Sequence, residues 1–394
     1  MNIHSKISPA TLATLSLPAL ALASCANAET GESAAEYTQE AEGTPAYSVT
    51  EMGTFNEPWA IKFIPGSQTL VVTEKSGTLK MMKTTDGEMI TVSGTPEVAY
   101  GGQGGLGDVL FLESEAERKD ARTVFLSWAE MSEDGETRGA AVGRGEIVCV
   151  AETETCGIEG LKVIWRQMPK VEGRGHFSHR LAVSPDEKYL YIASGDRQKQ
   201  TPAQDKTNTL GTIIRLNLDG TPAAGNPFVD EGGVTREIWS YGHRNILGMD
   251  FDAQGRLWEV EHGPAGGDEL NLVKKANNYG WPTRSYGENY NGKPIPDHTA
   301  DDGFTKPAAH WTPVIAPGDM IIYSGDMFEA WKGNALITGL KTKALVRVEI
   351  DGESAKEIGR YSFDNRLRSI TQGPDGSIWV AEDGEDGKVL KISM

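Results

Sequence analysis

Four short segments of this chain share one pattern, a turn followed at once by a short apolar run. They are FIPGSQTLVVTE from Phe63, VSPDEKYLYIASGD from Val183, FDAQGRLWEVEHG from Phe251 and GPDGSIWVAEDG from Gly373. The run centres Leu70, Leu190, Leu257 and Ile378 are 120, 67 and 121 residues apart, which reads as a unit of about 60 residues with two copies eroded beyond sight. A unit of that length holds one four-stranded blade, and residues 46–394 hold close to six such units. The pattern predicts an all-β fold, a six-bladed β-propeller with four-stranded antiparallel blades. The same turns would also serve a two-sheet sandwich. In a propeller, loops gather at one mouth of the central channel, so residues distant in sequence can meet there.

Residues 1–24 carry one cation, Lys6, then an apolar-rich stretch that ends in Leu22-Ala23-Ser24-Cys25. This reads as an export signal whose LASC end fits a lipoprotein cleavage site, with Cys25 as the lipid anchor. Cleavage after Ala26-Asn27-Ala28 would instead release a soluble protein. The stretch is shorter than the roughly 20 residues of a membrane span and contains Pro9 and Pro18. Residues 25–45, rich in Ala, Glu, Thr and Gly, read as a flexible tether, and 46–394 as a single domain. The expected location is the periplasm, on an anchored lipoprotein. Export also favours a local hairpin disulfide between Cys149 and Cys156 over two free thiols.

The chain has 38 Lys plus Arg against 56 Asp plus Glu, a formal net charge of -18, with no run of cations. That balance excludes nucleic acid and anionic lipid surfaces as partners. Against the acidic body stand Arg244, Lys341, Arg366 and Arg368 in turn-rich clusters. If they converge, they form a positive pocket for a small, multiply charged anion. His176, His179, His243 and His262 are candidate bases or ligands, and the Gly263 and Pro264 carbonyls with Asp268 suit a hard cation. Each cation or histidine taken alone could equally be a surface ion pair or a buried, satisfied ring. No HExxH, P-loop, GxGxxG opening a βαβ unit, or GxSxG is present, which disfavours zinc, nucleoside triphosphate, nicotinamide and α/β-hydrolase chemistry.

Taken in order, GQGGLGDV, HFSHRL with SGDR, GHRN, EHGPAGGDELN with NYGWP, and NRLRS before GPDGSIWV resemble the soluble quinoprotein glucose dehydrogenase and aldose sugar dehydrogenase family, also called glucose/sorbosone dehydrogenases. The resemblance runs from about Pro58 to the C-terminus. It implies a six-bladed propeller that holds pyrroloquinoline quinone (PQQ) and Ca2+ at the channel mouth and oxidises aldose sugars at C1 to lactones. By that resemblance His176 is the general base, with hydride passing from C1 to the quinone. Gln103 is a polar residue on the substrate or cofactor side, and Arg244 and Asn245 contact the quinone carbonyls. Gly263 and Pro264 supply carbonyl ligands to calcium, Lys341, Arg366 and Arg368 pair with the cofactor carboxylates, and Asp268 and Tyr279 support the site. Electrons would pass to an external acceptor, from a monomer or weak dimer.

Three positions depart from the family pattern. Gly175 stands before the base where glucose dehydrogenases carry a sugar-orienting aspartate, Ile246-Leu247 follows GHRN in place of Pro-Gln, and Val314 replaces a small hydroxyl residue. A tight preference for glucose is not expected. The alternatives are a non-catalytic propeller that binds a glycan or protein, and a quinoprotein acting on sorbosone-like aldehydes or other alcohols.

Overall fold

The computed structural model describes residues 46–150 and 155–394. The expected signal, Cys25 and the tether lie outside them. Among the described residues the secondary structure is strand, apart from short 3-10 segments such as Glu113–Glu115. The strands pair antiparallel in sets of four. One set is Pro58–Phe63, Thr69–Glu74, Leu79–Lys83 and Met89–Ser93; the next is Leu106–Phe111, Ala121–Met131, Arg138–Val150 and Thr155–Arg166. These two are joined by a short parallel contact of Val92 and Ser93 with Cys156 and Gly157. Further sets begin at Ser178–Val183, Ile246–Phe251 and Pro317–Ile322. In the last, Leu367–Gln372, Ile378–Glu382 and Gly387–Ser393 are completed by Ser48–Phe55 from the other end of the chain.

Second strands such as LVVTE and IWVAE are buried along almost their whole length. Strict polar alternation is lost because each sheet is packed between two others. The apolar clusters record this directly. Leu79 and Met81 of one set pack on Leu106 and Trp128 of the next, Phe125 and Val142 on Leu190 and Ile214, and Tyr191 and Ile213 on Met249 and Leu257. Trp258 and Leu270 then pack on Met320 and Ile337, Leu336 and Leu345 on Ile370 and Val380, and Trp379 and Val389 return to Ile61 and Leu70. The first strands likewise touch one another in a closed round, from Pro58–Phe63 through to Leu367–Gln372 and back. At the centre Arg180 is buried. Its guanidinium donates to the Leu247 and Gly318 carbonyls and pairs with Asp108 at 3.2 Å and Asp319 at 3.3 Å, while lying over the Trp59 ring.

All four repeated segments are first-to-second strand turns: Phe63 pairs with Leu70, Val183 with Leu190, Phe251 with Leu257 and Gln372 with Ile378. The two eroded copies are the turns between Phe111 and Val124 and between Ile322 and Ala335. There the connection is twelve residues long, Leu112–Thr123 and Tyr323–Asn334, where the legible copies use five or six. Inserted 3-10 turns at Glu113–Glu115 and Glu329–Trp331 thus hide the repeat. The Cys149–Cys156 disulfide is present and joins paired residues of one hairpin.

Candidate functional site

All six first strands slip register within their opening residues, between Pro58 and Ala60, Leu106 and Val109, Ser178 and Leu181, Ile246 and Gly248, Pro317 and Asp319, and Leu367 and Ser369. A bulge re-aims side chains and bends the strand, so one end of the ring presents side chains inward instead of continuing a regular ladder. At that end lies a cavity of about 290 Å³, lined among others by Gln103, Asn245, His262, Arg366, Arg368 and Asp383. That volume is at the lower limit of ligand pockets, which run from about 300 Å³ upward.

His176 stands immediately before one of these strands, 7% exposed, with a left-handed backbone at φ 50°. Ser178 and His179 are left-handed too, at φ 56° and 50°. Each such residue costs about 1–3 kcal/mol and persists where its surroundings over-determine it. Here the clamps are visible. The Gln103 Oε1 accepts the His176 backbone N–H at 2.6 Å, the His176 carbonyl accepts from Arg197 N, and Ser178 Oγ accepts from Ile246 N. His176 Nδ1 donates to Asp196 Oδ1 at 2.6 Å, which leaves Nε2 as the ring's lone-pair nitrogen. Burial pushes the imidazole below its ordinary value; the Asp196 bond opposes this, and Arg244 and Arg197 reinforce it. The ring is therefore neutral at neutral pH. Asp196 is buried, which alone would raise its carboxyl, but the His176 bond and a 2.8 Å bond from Trp281 Nε1 hold it below the usual range.

Arg244 follows on the next strand entrance. Its carbonyl accepts from Asp196 N, its Nη1 donates to the His262 carbonyl at 3.0 Å, and its Nε is buried without a partner among the described residues. The backbone N–H groups of Arg244 and Asn245 both donate to Glu261 Oε2, at 2.5 and 3.2 Å. Behind them His243 is fully buried, with Nδ1 at 3.4 Å from Glu259 and 3.5 Å from Glu261 and its ring stacked on Tyr279. Burial would depress that imidazole, yet the two carboxylates push it up to about 9. The two arginines of NRLRS converge on one carboxylate, Arg366 on Asp383 Oδ2 at 2.9 Å and Arg368 on Oδ1 at 2.8 Å. Asp383 is thereby held low despite its burial.

At Gly263 an added Cβ would fall 2.2 Å from the carbonyl oxygens of both Gly266 and Gly267. Carbonyl oxygens therefore crowd a cradle that only glycine leaves open. Asp268 braces it, accepting from Gly263 N at 2.8 Å and Ala316 N at 2.6 Å, with burial raising its carboxyl to about 6.

The residues singled out from sequence meet unevenly. Gln103, His176, Arg244 and Asn245 form one hydrogen-bonded neighbourhood, and Gln103, Asn245, Arg366 and Arg368 line the cavity. Lys341 is exposed and outside that lining, where its neighbour Leu340 takes part. The other histidines are held in structural bonds. His179 stacks on Trp59 and is depressed to about 3 by burial, and neutral His262 donates Nε2–H to the Pro317 carbonyl. Sequence reasoning assigned no role to Asp196, Glu261, Trp281 or Asp383. Asp196 lies in the SGDR segment, but no spacing rule links it to a histidine 20 positions earlier.

The glucose/sorbosone dehydrogenase family model matches residues 55–391. The chain belongs to that family. Among its relatives, the aldose sugar dehydrogenase YliI of Escherichia coli (strain K12) is 36% identical over 343 residues, which is 86% of this chain and 90% of that protein. A solved structure of a glucose dehydrogenase superposes with a TM-score of 0.81 at 36% identity, over 87% of this chain and 99% of the other. The PQQ-bound form of an aldose sugar dehydrogenase from Streptomyces coelicolor superposes with a TM-score of 0.69 at 25% identity, over 89% and 99%. The family is one of oxidoreductases.

Proposed function

We propose that this glucose/sorbosone dehydrogenase is an exported six-bladed propeller that oxidises aldose sugars at C1 with PQQ and calcium, passing the electrons to an external acceptor. The observation that carries the reading is the neutral His176, its Nδ1 tied to Asp196 and its backbone N–H held by Gln103, which lines the cavity with Arg366 and Arg368. The donor set fits the cofactor. PQQ is a planar tricarboxylate, and Arg366 and Arg368 offer their remaining N–H groups to carboxylates once Asp383 has neutralised part of their charge. The unpartnered buried Nε of Arg244 awaits an acceptor. Gly263 packs against the Gly266 and Gly267 carbonyls, and its own carbonyl with that of Pro264 would serve as calcium ligands, oxygens being what a hard cation takes. When bound, PQQ supplies the hydride acceptor and calcium the Lewis acid that polarises it.

The protein's own part is proton transfer and positioning. His176 Nε2 takes the proton of the C1 hydroxyl, and Asp196 holds the tautomer and stabilises the imidazolium that forms. Gln103 fixes the backbone of the base, and Glu261 fixes Arg244 and Asn245 through their N–H groups. The test is dye reduction by the purified protein with calcium and PQQ across a panel of aldoses, disaccharides and simple alcohols. Reduction that needs both additives and a sugar supports the reading; quinone uptake without any sugar-dependent reduction overturns it.

A further inference from the structure

The register slips of the first strands leave Trp59, Gly107, His179, Leu247, Gly318 and Arg368 outside their ladders. Four of these six, Trp59, His179, Leu247 and Arg368, line the cavity. His179 is the one whose chemistry the mechanism does not use. At Gly107, on the neighbouring strand, an added Cβ would fall 1.9 Å from His179 Nδ1 and 2.0 Å from Cε1, so the imidazole fills the room that this glycine leaves. One face of the ring stacks on Trp59, with centroids 4.8 Å apart. The tautomer follows from Ser127. Its Oγ donates its one hydrogen to the His179 carbonyl at 2.6 Å and accepts from Asp108 N at 2.8 Å. Toward His179 Nδ1, 3.0 Å away, that oxygen can therefore only accept, so Nδ1 carries the hydrogen and Nε2 the lone pair. Nε2 has no hydrogen-bond partner among the described residues, yet unlike Nε2 of His298 it is not sealed from solvent. Burial, reinforced by Arg180, keeps the ring neutral. Other acceptors around the cavity are already engaged, Gln103 Oε1 by His176 N, Glu57 by Lys75 and Asp383 by the two arginines.

We propose that His179 Nε2 is a second functional imidazole nitrogen of this protein, which accepts a hydrogen bond from an N–H or O–H of the cofactor bound in the cavity and so fixes its orientation. This rests on the quinone reading above. PQQ is made almost wholly of acceptors; its oxidised form has one ring N–H, and its reduced form adds two O–H groups. Arginines can serve the carboxylates but cannot accept from these hydrogens. A carboxylate could accept but would repel a tricarboxylate, whereas a neutral imidazole accepts at no cost in charge. A ligand that fills the cavity without offering a donor would strand the Nε2 lone pair away from water, which is penalised. Gly107 is the enabling residue, because a β-carbon there would displace the ring.

The experiment titrates the full-length protein, with calcium present, with oxidised PQQ by absorbance and with reduced PQQ by calorimetry in the absence of oxygen. The forms compared are wild type, His179→Asn and His179→Gln. The Asn amide reaches only the place of Nδ1, so it keeps the Ser127 bond and loses the acceptor, and Asn suits the left-handed backbone at φ 50°. The Gln amide reaches the place of Nε2. Loss of one neutral hydrogen bond predicts a rise of about three- to tenfold in quinone Kd for His179→Asn, while His179→Gln should stay within about twofold of wild type. A loss shared by both redox forms assigns the ring N–H as the donor; a loss confined to the reduced form assigns the O–H. In the wild type, the 15N signal of the lone-pair nitrogen of His179 should move upfield when quinone is added, a readout that needs no variant to fold. Unchanged Kd for both redox forms in His179→Asn overturns the inference, as does an unmoved 15N signal. Equal losses in the Asn and Gln variants also overturn it, since His179 would then be only a plug over Gly107. All three results leave the quinone reading standing. A wild type that takes up no quinone overturns both.

Discussion

Replacing Asp196 by Asn tests the centre of the mechanism. The carboxylate accepts four hydrogen bonds, from His176 Nδ1 at 2.6 Å, Gln198 N at 2.8 Å, Trp281 Nε1 at 2.8 Å and Gln200 N at 3.2 Å. An amide has one acceptor oxygen, so the oxygen that becomes NH2 faces two donors. If the amide nitrogen turns toward His176, the Gln198 N–H alone loses its acceptor, while the imidazole must present a lone pair at Nδ1 and carry its proton on Nε2, where it cannot act as a base. General base catalysis contributes about 10²–10⁴-fold, and kcat should fall by that order. If the amide turns the other way, the Trp281 and Gln200 N–H groups lose their acceptor, at about 1–3 kcal/mol per orphaned donor. A fall in stability of roughly 3 kcal/mol then accompanies a smaller loss of rate. Dye-reduction kinetics and denaturant unfolding separate the two. Asp196 also opposes the depression of His176, so any surviving activity should keep its acid limb at lower pH than in the wild type. A variant that retains kcat within threefold, with an unmoved acid limb, refutes the role assigned to the pair.

Other outcomes follow from buried charge. The His243 pKa is raised from 6.5 to about 9 in the folded state. Its stabilising contribution is therefore complete below pH 6.5 and is lost as pH rises through 9; a shift of about 2.5 units is roughly 3 kcal/mol. Denaturant midpoints should fall between pH 7 and 9.5, and His243→Gln should flatten that profile while lowering stability at pH 6. Arg368→Ala should weaken quinone binding by absorbance titration more than Arg366→Ala, because the Arg368 side chain is 15% exposed and that of Arg366 50%, and the less solvated pair is less screened. Removing Arg180 leaves Asp108 and Asp319 buried without their cation, so Arg180→Ala should cost about 3–5 kcal/mol or prevent folding. Arg180→Lys should recover part of that loss.

Much of the ring was legible because four of its turns keep the short loop that sets Leu70, Leu190, Leu257 and Ile378 at the same place in their strands. The other two carry inserted 3-10 turns, and periodicity cannot see through an insertion. Gln103, His176 and the Arg244-Asn245 pair, each singled out from a local motif, do fall in one hydrogen-bonded neighbourhood. The site was not legible where one strand's end braces another's. Asp196, Glu261 and Asp383 act through neighbours 20, 17 and 15–17 positions away, and only the fold sets those separations. The cancelling of Arg366 and Arg368 by Asp383 also softens the expected positive pocket, since a count of cations takes no account of the carboxylate between them.

The strand Ser48–Phe55 pairs along its length with Gly387–Ser393, so Ser48 faces Ser393 across 345 positions of sequence. The last sheet is complete only when both ends of the folded region are present. A growing chain can stack the earlier sheets as they emerge, but it cannot close the ring before its final residues leave the ribosome. Until then the faces of Ile61 and Leu70 that later meet Trp379 and Val389 remain uncovered. Loss of the last seven residues should correspondingly leave an open, protease-sensitive ring instead of a slightly shorter enzyme.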